Sequence, residues 1–191
     1  MLISELKNSL KRTSVIAAVQ DNLWDEALSS PVEVVFHLKA NIMTVAEKIR
    51  QAHEKGKFIF IHVDLADGIG KDRAGVAFLK DCGADGIIST RGQIIKAGKE
   101  IGLLTIQRFF ALDSQGISGI NDQLNFSKPD MIEIMPGVVE KIIKKLSADG
   151  TAVIAGGLVE VMSEAEGALS AGALAVSTGK KDLWSMEVGY V

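Results

Sequence analysis

Two short runs of small residues, Gly156-Gly157 and Ser177-Thr178-Gly179, each close an apolar segment and are each followed by residues able to start a helix. Glycine has no side chain to hold an anion away from backbone N–H groups, and a helix N-terminus adds a partial positive charge. Both turns lie within Thr151 to Trp184, which reads as strand, turn, helix, strand, turn, helix. Placed side by side at the same ends of neighbouring parallel strands, they predict a cup for a phosphate group. Lys180 and Lys181 follow the second turn, so one of them is expected to touch the anion.

Further titratable groups sit at or near the ends of apolar runs. In FIFIHVD, Phe58, Phe60, His62 and Asp64 fall on one face of a strand and Ile59, Ile61 and Val63 on the other. The wholly apolar face must meet helices, so His62 and Asp64 are expected at the inner rim. A carboxylate beside an imidazole fixes its tautomer and favours its charged form, which suits hydroxyl binding or acid–base work. The same parity makes His37 with Lys39, and Glu133 with Met131 and Met135, candidates for the interior. For His37 the simpler expectation is a hydrogen-bonded core histidine. Glu133 could serve as a general base, as a hydroxyl acceptor or as the partner of an arginine. Arg91 and Arg108 stand where they could reach the mouth. Lys141, Lys144 and Lys145 read as a solvated helix face.

Metal chemistry has little support. The three histidines lack ligand spacing, and only His62, Asp64, Asp67 and Glu133 could converge on a divalent ion. No metal and no cofactor are expected. Phosphosugar enzymes with such a cup often carry a Schiff-base lysine inside a strand, or a lysine between acidic residues. Here DLADGI places Ala66 where that lysine would stand, so no catalytic residue is assigned.

Eight strands are needed to position these groups, and eight can be counted. They are SVIAAV (Ser14 to Val19), VEVVFHL (Val32 to Leu38), FIFIHVD (Phe58 to Asp64), DGIIST ending at Thr90, LLTIQRF from Leu103, MIEIM (Met131 to Met135), and the two that carry the cup. Helical spacing separates them: Ile42, Val45, Ile49 and Ala52; Ala74, Ala77, Phe78 and Cys82; Ile94 and Ala97; Ile117, Ile120 and Leu124, broken by Gly116 and Gly119; Val139, Ile142, Ile143 and Leu146. Asp21 and Asn41 are expected helix caps, Pro136 suits a first helical turn, and Ser163 with Glu166 has the pattern of a capping box. Gly56, Gly83, Gly102, Gly150 and Gly172 each precede a strand, where a helix-ending glycine belongs. A short helix over residues 4–12, with Ser4 as its cap and Leu2, Leu6 and Leu10 along one side, precedes the first strand and is expected to close the bottom.

The fold class predicted is therefore α/β, a compact (β/α)8 TIM-type barrel with a short N-terminal helix, formed by residues 1–191 as a single domain. Such barrels usually take about 250 residues, so 191 demands short connections. A doubly wound open sheet competes, but it places its phosphate turn after the first strand, and VQDNLW holds no glycine. Net charge is −3, giving no field for a polyanion. One cysteine, Cys82, excludes an internal disulfide and fits a reducing compartment. No secretory signal and no apolar run of roughly 18 residues is present, so a cytoplasmic protein without a membrane partner is expected.

The succession VIAAV, SSPVEVVFHL, FIHVDLADGIGKDRAGVAFLK, GADGIISTR, QRFFALDS, PDMIEIMPG, AGGL and STGKKDLW resembles the glycerol-3-phosphate-responsive antiterminator family, the regulators of glycerol uptake operons. The resemblance covers nearly the whole chain, in order. It implies a small TIM barrel that binds glycerol 3-phosphate and then acts on an mRNA leader, allowing transcription through a terminator. It further implies that Gly156, Gly157, Ser177, Thr178 and Gly179 hold the phosphate, while His62, Asp64 and Glu133 face the glycerol hydroxyls. RNA binding follows from the resemblance alone: aromatic residues make up 5% and the basic groups are small and separated. The residues themselves leave open an isomerase, aldolase or lyase of a small phosphorylated polyol, and a homo-oligomer is also possible.

Overall fold

The structure, a computed structural model, describes residues 3–111 and 119–186; Leu2, Gly116 and Ile117 lie outside this range. Eight parallel strands form a closed barrel in sequence order: β1 (Val15–Val19), β2 (Val34–His37), β3 (Phe58–His62), β4 (Gly86–Ser89), β5 (Leu104–Phe110), β6 (Met131–Met135), β7 (Val153–Gly156) and β8 (Ala175–Thr178). The barrel closes where β8 pairs with β1, Val15 opposite Val176 and Ile16 opposite Ser177. The helices among the described residues are α1 (Ile3–Arg12), α2 (Trp24–Ser29), α3 (Val45–Glu54), α4 (Arg73–Asp81), α5 (Gly92–Glu100), α6 (Ile120–Ser127), α7 (Glu140–Ala148) and α8 (Met162–Ser170). None is long and apolar enough to cross a membrane.

Two apolar layers hold the barrel. Inside, Ile16, Val34, Phe36, Phe60, Ile88, Leu104, Ile106, Met131, Ile154 and Ala175 pack with Leu6 and Leu10 of α1. The first helix thus fills the floor with leucines and leaves the opposite, C-terminal end of the strands for polar groups. Outside, the alternate strand residues Val35, Ile59, Ile61, Ile87, Ile132, Val153 and Val176 meet the helices. The connections are short because α2 spans 6 residues and a single 3-10 turn, Lys181–Leu183, follows β8. Gly56, Gly83, Gly102, Gly150 and Gly172 all have positive φ, the left-handed geometry that ends a helix.

Several helix starts differ from expectation. Ser4 lies within α1, and α3 begins at Val45, leaving Ile42 partly exposed. Asn41 uses its side chain to accept from Met43 N–H in a turn. Asp21 gives no cap to the 3-10 turn it opens, because its carboxylate is held by His37 and Lys48. Pro136 follows β6 in a cis peptide, and α7 starts only at Glu140. The glutamate at the start of α8 is Glu164, not Glu166: it accepts from the N–H groups of Glu160 and Val161.

Candidate functional site

The inner parity of β5, β6, β7 and β8 carries Arg108, Glu133, Gly156 and Ser177 to the upper end of the barrel. Glu133, 1% exposed, accepts from Arg108 Nε at 2.6 Å on one oxygen and from Ser177 Oγ at 2.6 Å on the other. A buried carboxylate is tolerated only when paired and hydrogen-bonded in this way. Arg108 uses its Nε for this bond, and among the described residues its terminal nitrogens have no partner.

A cavity of about 380 Å3 opens above the pair. Its polar wall includes Arg108, Glu133, Ser177, Thr178, Gly179 and Lys180, and its apolar wall includes Leu38, Met135 and Leu158. Gly157 also lines it, so the two small-residue turns do meet. Their hydroxyls, however, are committed to the protein. Ser177 donates to Glu133, and Thr178 Oγ1 donates to the Val159 carbonyl at 2.7 Å, tying the β8 turn to the β7 turn. Trp184 Nε1 donates to the Thr178 carbonyl and fixes the strand end. The backbone N–H groups of Gly157 and Gly179 have no acceptor among the described residues, so they are the donors free to meet an anion. Gly157 (φ +71°) and Leu158 (φ +59°) both adopt left-handed geometry, a conformation costly for leucine and concentrated at functional turns.

The helix contribution to the cup is weaker than the sequence suggested. Alpha-helix α8 starts five residues beyond Gly157, with Glu164 already over its first amides. Positive charge at the cavity comes instead from Arg108 and Lys180, the latter 3.3 Å from Glu160 at the rim. Lys181 points away, to Glu26.

Gly156 is required by packing. A Cβ there would stand 2.6 Å from Ser177 Oγ and closer still to Glu133 Oε1. The Glu133–Ser177 bond passes through the space a side chain would fill.

His62 and Asp64 lie beside the cavity and not on its wall. Strand β3 ends at His62, and the 3-10 turn Val63–Leu65 swings Asp64 sideways to the end of β4. There its carboxylate accepts from Ser89 Oγ, Thr90 N–H and Thr90 Oγ1 at 2.7–2.8 Å. Burial alone would raise the Asp64 pKa, but these three bonds outweigh it and leave it below the ordinary value. Arg91 is mostly exposed and 3.8 Å from Asp64. His62 is buried, with Nε2 3.7 Å from Asp64 Oδ2 and no hydrogen bond to either ring nitrogen among the described residues. Asp67 is elsewhere, its backbone paired with Ala40 and Ile42. Ala66 packs in the outer layer.

The barrel-interior candidacy of His37 and Lys39 is overturned, while the simpler expectation for His37, a buried and hydrogen-bonded histidine, holds. Val34 and Phe36 are the inward residues of β2, so His37 faces outward. It stacks against Trp24 at 5.1 Å, and its Nε2 lies 3.2 Å from Asp21 Oδ1. Lys39 is exposed beyond the strand and lines a neighbouring depression. The pairing of Arg108 with Glu133 was one of the roles the sequence left open for Glu133; register decides it, since Arg108 is opposite Glu133 across β5 and β6.

Burial lowers the pKa of both His37 and His62, with the Arg108 charge adding to the effect at His62. The folded chain therefore takes up protons later than the unfolded chain, whose histidines titrate near about 6.5. Stability is expected to be full above that value and to fall as pH drops through it, by up to about 1.4 kcal/mol per pH unit for each histidine. Urea unfolding at pH 7.5 and 5.5 measures this. His62→Leu should flatten the dependence, and a parent protein equally stable at both values would refute it.

A family model described as glycerol-3-phosphate responsive antiterminator matches residues 15–184. The protein YgcP of Escherichia coli (strain K12) is 36% identical over 184 residues, covering 95% of this chain and 96% of its own. A glycerol uptake operon antiterminator-related protein from Thermotoga maritima has a crystal structure similar to this one, with a TM-score of 0.83 and 34% identity over 91% of this chain and 99% of that one. The glycerol uptake operon antiterminator regulatory protein from Listeria monocytogenes gives a TM-score of 0.85 and 31% identity over 90% and 94%. With its barrel, its order of motifs and these relatives in agreement, the chain belongs to the glycerol-3-phosphate-responsive antiterminator family.

Proposed function

We propose that this protein senses glycerol 3-phosphate at the barrel mouth and, when loaded, engages the mRNA leader of glycerol uptake genes to permit transcription through a terminator. One observation carries the ligand half: the free N–H groups of Gly157 and Gly179 border the same small cavity as the buried Arg108–Glu133 pair. The turns supply donors for a phosphate. Glu133 and the terminal nitrogens of Arg108 offer an acceptor and donors for polyol hydroxyls. His62 and Asp64 support this layer from the side. Lysine chemistry is not favoured, because Lys180, the lysine on the cavity wall, sits at its rim beside Glu160. The reading is of a binding protein located in the cytoplasm. The RNA half follows from the family's description, not from a basic surface.

Thermal and urea unfolding with glycerol 3-phosphate tests the ligand half, with glycerol and inorganic phosphate as controls. At a hundred times Kd a ligand adds about 2.7 kcal/mol. Selective stabilisation by glycerol 3-phosphate is expected; an equal response to every phosphate ester would remove glycerol as the signal. Leader RNA should bind only with ligand present and weaken as salt rises. Binding that ignores the ligand would remove the sensor role.

A further inference from the structure

His62 is 4% exposed, yet neither of its ring nitrogens has a hydrogen-bond partner among the described residues. Buried polar groups in folded chains are nearly always paired, so an orphaned one beside a cavity points to a partner that arrives from outside. The ring belongs to the inner parity of β3, two residues beyond Phe60. Four polar groups act on it: Arg108, Asp64, Glu133 and the Leu38 backbone. Three of these residues, Arg108, Glu133 and Leu38, line the cavity, and His62 stands just outside its wall. Burial and the Arg108 charge hold its pKa below the ordinary imidazole value. Near neutral pH the ring is therefore uncharged, with one N–H and one bare nitrogen. Asp64 Oδ2 is 3.7 Å from Nε2, which favours the proton on that nitrogen and leaves Nδ1 as an acceptor. Arg108 supplies the opposite chemistry: its Nε is spent on Glu133, and its terminal nitrogens can only donate. A donor that cannot accept and a bare acceptor, near each other with no bond between them, are together the complement of a hydroxyl group. A carbonyl oxygen, which only accepts, would satisfy Arg108 and leave His62 unpaired.

We propose that His62 and Arg108 together read a free hydroxyl on the carbon next to the phosphate-bearing one, so that the site accepts a reduced polyol phosphate and rejects the ketone with the same skeleton. The proposal rests on the reading of the cup as a phosphate site. It makes His62 a specificity-determining residue and not only a support for the polar layer. Loading requires the ring to turn toward the cavity, a side-chain movement of the kind that commonly accompanies binding. The orphaned nitrogen then gains the partner that the unliganded fold does not give it.

Titration calorimetry on the full chain near neutral pH tests it, with three probes: glycerol 3-phosphate, dihydroxyacetone phosphate, and 3-hydroxypropyl phosphate, which lacks the hydroxyl altogether. The parent is expected to bind glycerol 3-phosphate about tenfold or more tightly than either of the others, because each of those leaves a buried polar group unpaired. His62→Leu should remove that preference by weakening glycerol 3-phosphate alone. His62→Asn, whose shorter amide can still accept, should reduce the preference in part. A merely structural role for His62 would move all three affinities together and leave their ratios unchanged. If the parent binds all three esters alike, or if the preference is undiminished in every variant that folds, the hydroxyl reader falls and the cup stands. If no phosphate ester binds the parent, the cup itself is wrong and the reader falls with it.

Discussion

Glu133→Ala is expected to destabilise the fold by about 3–5 kcal/mol, the cost of leaving a buried charge without its partner. The parent carboxylate satisfies Arg108 on one oxygen and Ser177 on the other, inside a barrel where Arg108 is only 8% exposed. Removal strands the guanidinium among apolar neighbours and frees a hydroxyl that has lost its acceptor. Urea unfolding measures the loss. Arg108→Met combined with Glu133→Leu should recover much of it, because an apolar pair of similar volume avoids the desolvation of both charges. Neither form should bind a phosphate ester as the parent does, since both lack the polar floor of the cavity. This separates stability from recognition: the double variant is expected to be stable and inert. A single Glu133→Ala change costing less than about 1 kcal/mol would mean that the mouth is not organised by this pair.

Gly156→Ala comes second. Its backbone is not left-handed, so the added methyl acts by collision alone. It would enter the space between Glu133 Oε1 and Ser177 Oγ and force that hydrogen bond apart. Inserting one carbon into a close-packed layer costs about 1–3 kcal/mol, and a broken buried polar contact about as much again. Phosphate-ester affinity should fall by about 10–100-fold, read by calorimetry under conditions where the variant is still folded. Gly150→Ala is the informative contrast: its φ is +79°, yet nothing lies within 4 Å of the added carbon. It should cost about 1 kcal/mol in backbone strain and leave affinity untouched. Equal effects of the two changes on binding would refute the steric account of Gly156.

The periodicity of this chain carries the barrel count because each strand is an isolated apolar run, and five of them, β3, β4, β5, β7 and β8, follow a helix ended by a left-handed glycine. Parity within a strand is a weaker signal. It works in β3 and β6, where an aromatic or methionine face carrying His62 or Glu133 opposes a purely aliphatic one. It fails in β2, whose Val34, Val35, Phe36 and His37 are all buried. A parallel strand covered on both sides reads as one apolar run, so the side to which His37 belongs is not written in it. Inward residues there are decided by register with β3, where Phe36 stands opposite Phe60.

By itself, then, the sequence determines the number and order of strands, the glycine turns after β7 and β8, and the inward face of Glu133, since each depends on residues within a few positions of one another. Only the tertiary structure decides what the polar groups do. Arg108 meets Glu133 across 25 residues and Ser177 meets it across 44; Asp64 is captured by Ser89 and Thr90 at the end of the next strand. These bonds consume the hydroxyls of the β8 turn, so that in the proposed function the anion is left to backbone amides. The physical reason is that a buried polar atom must find a partner wherever the closed barrel supplies one, and closure places those partners far apart in the chain.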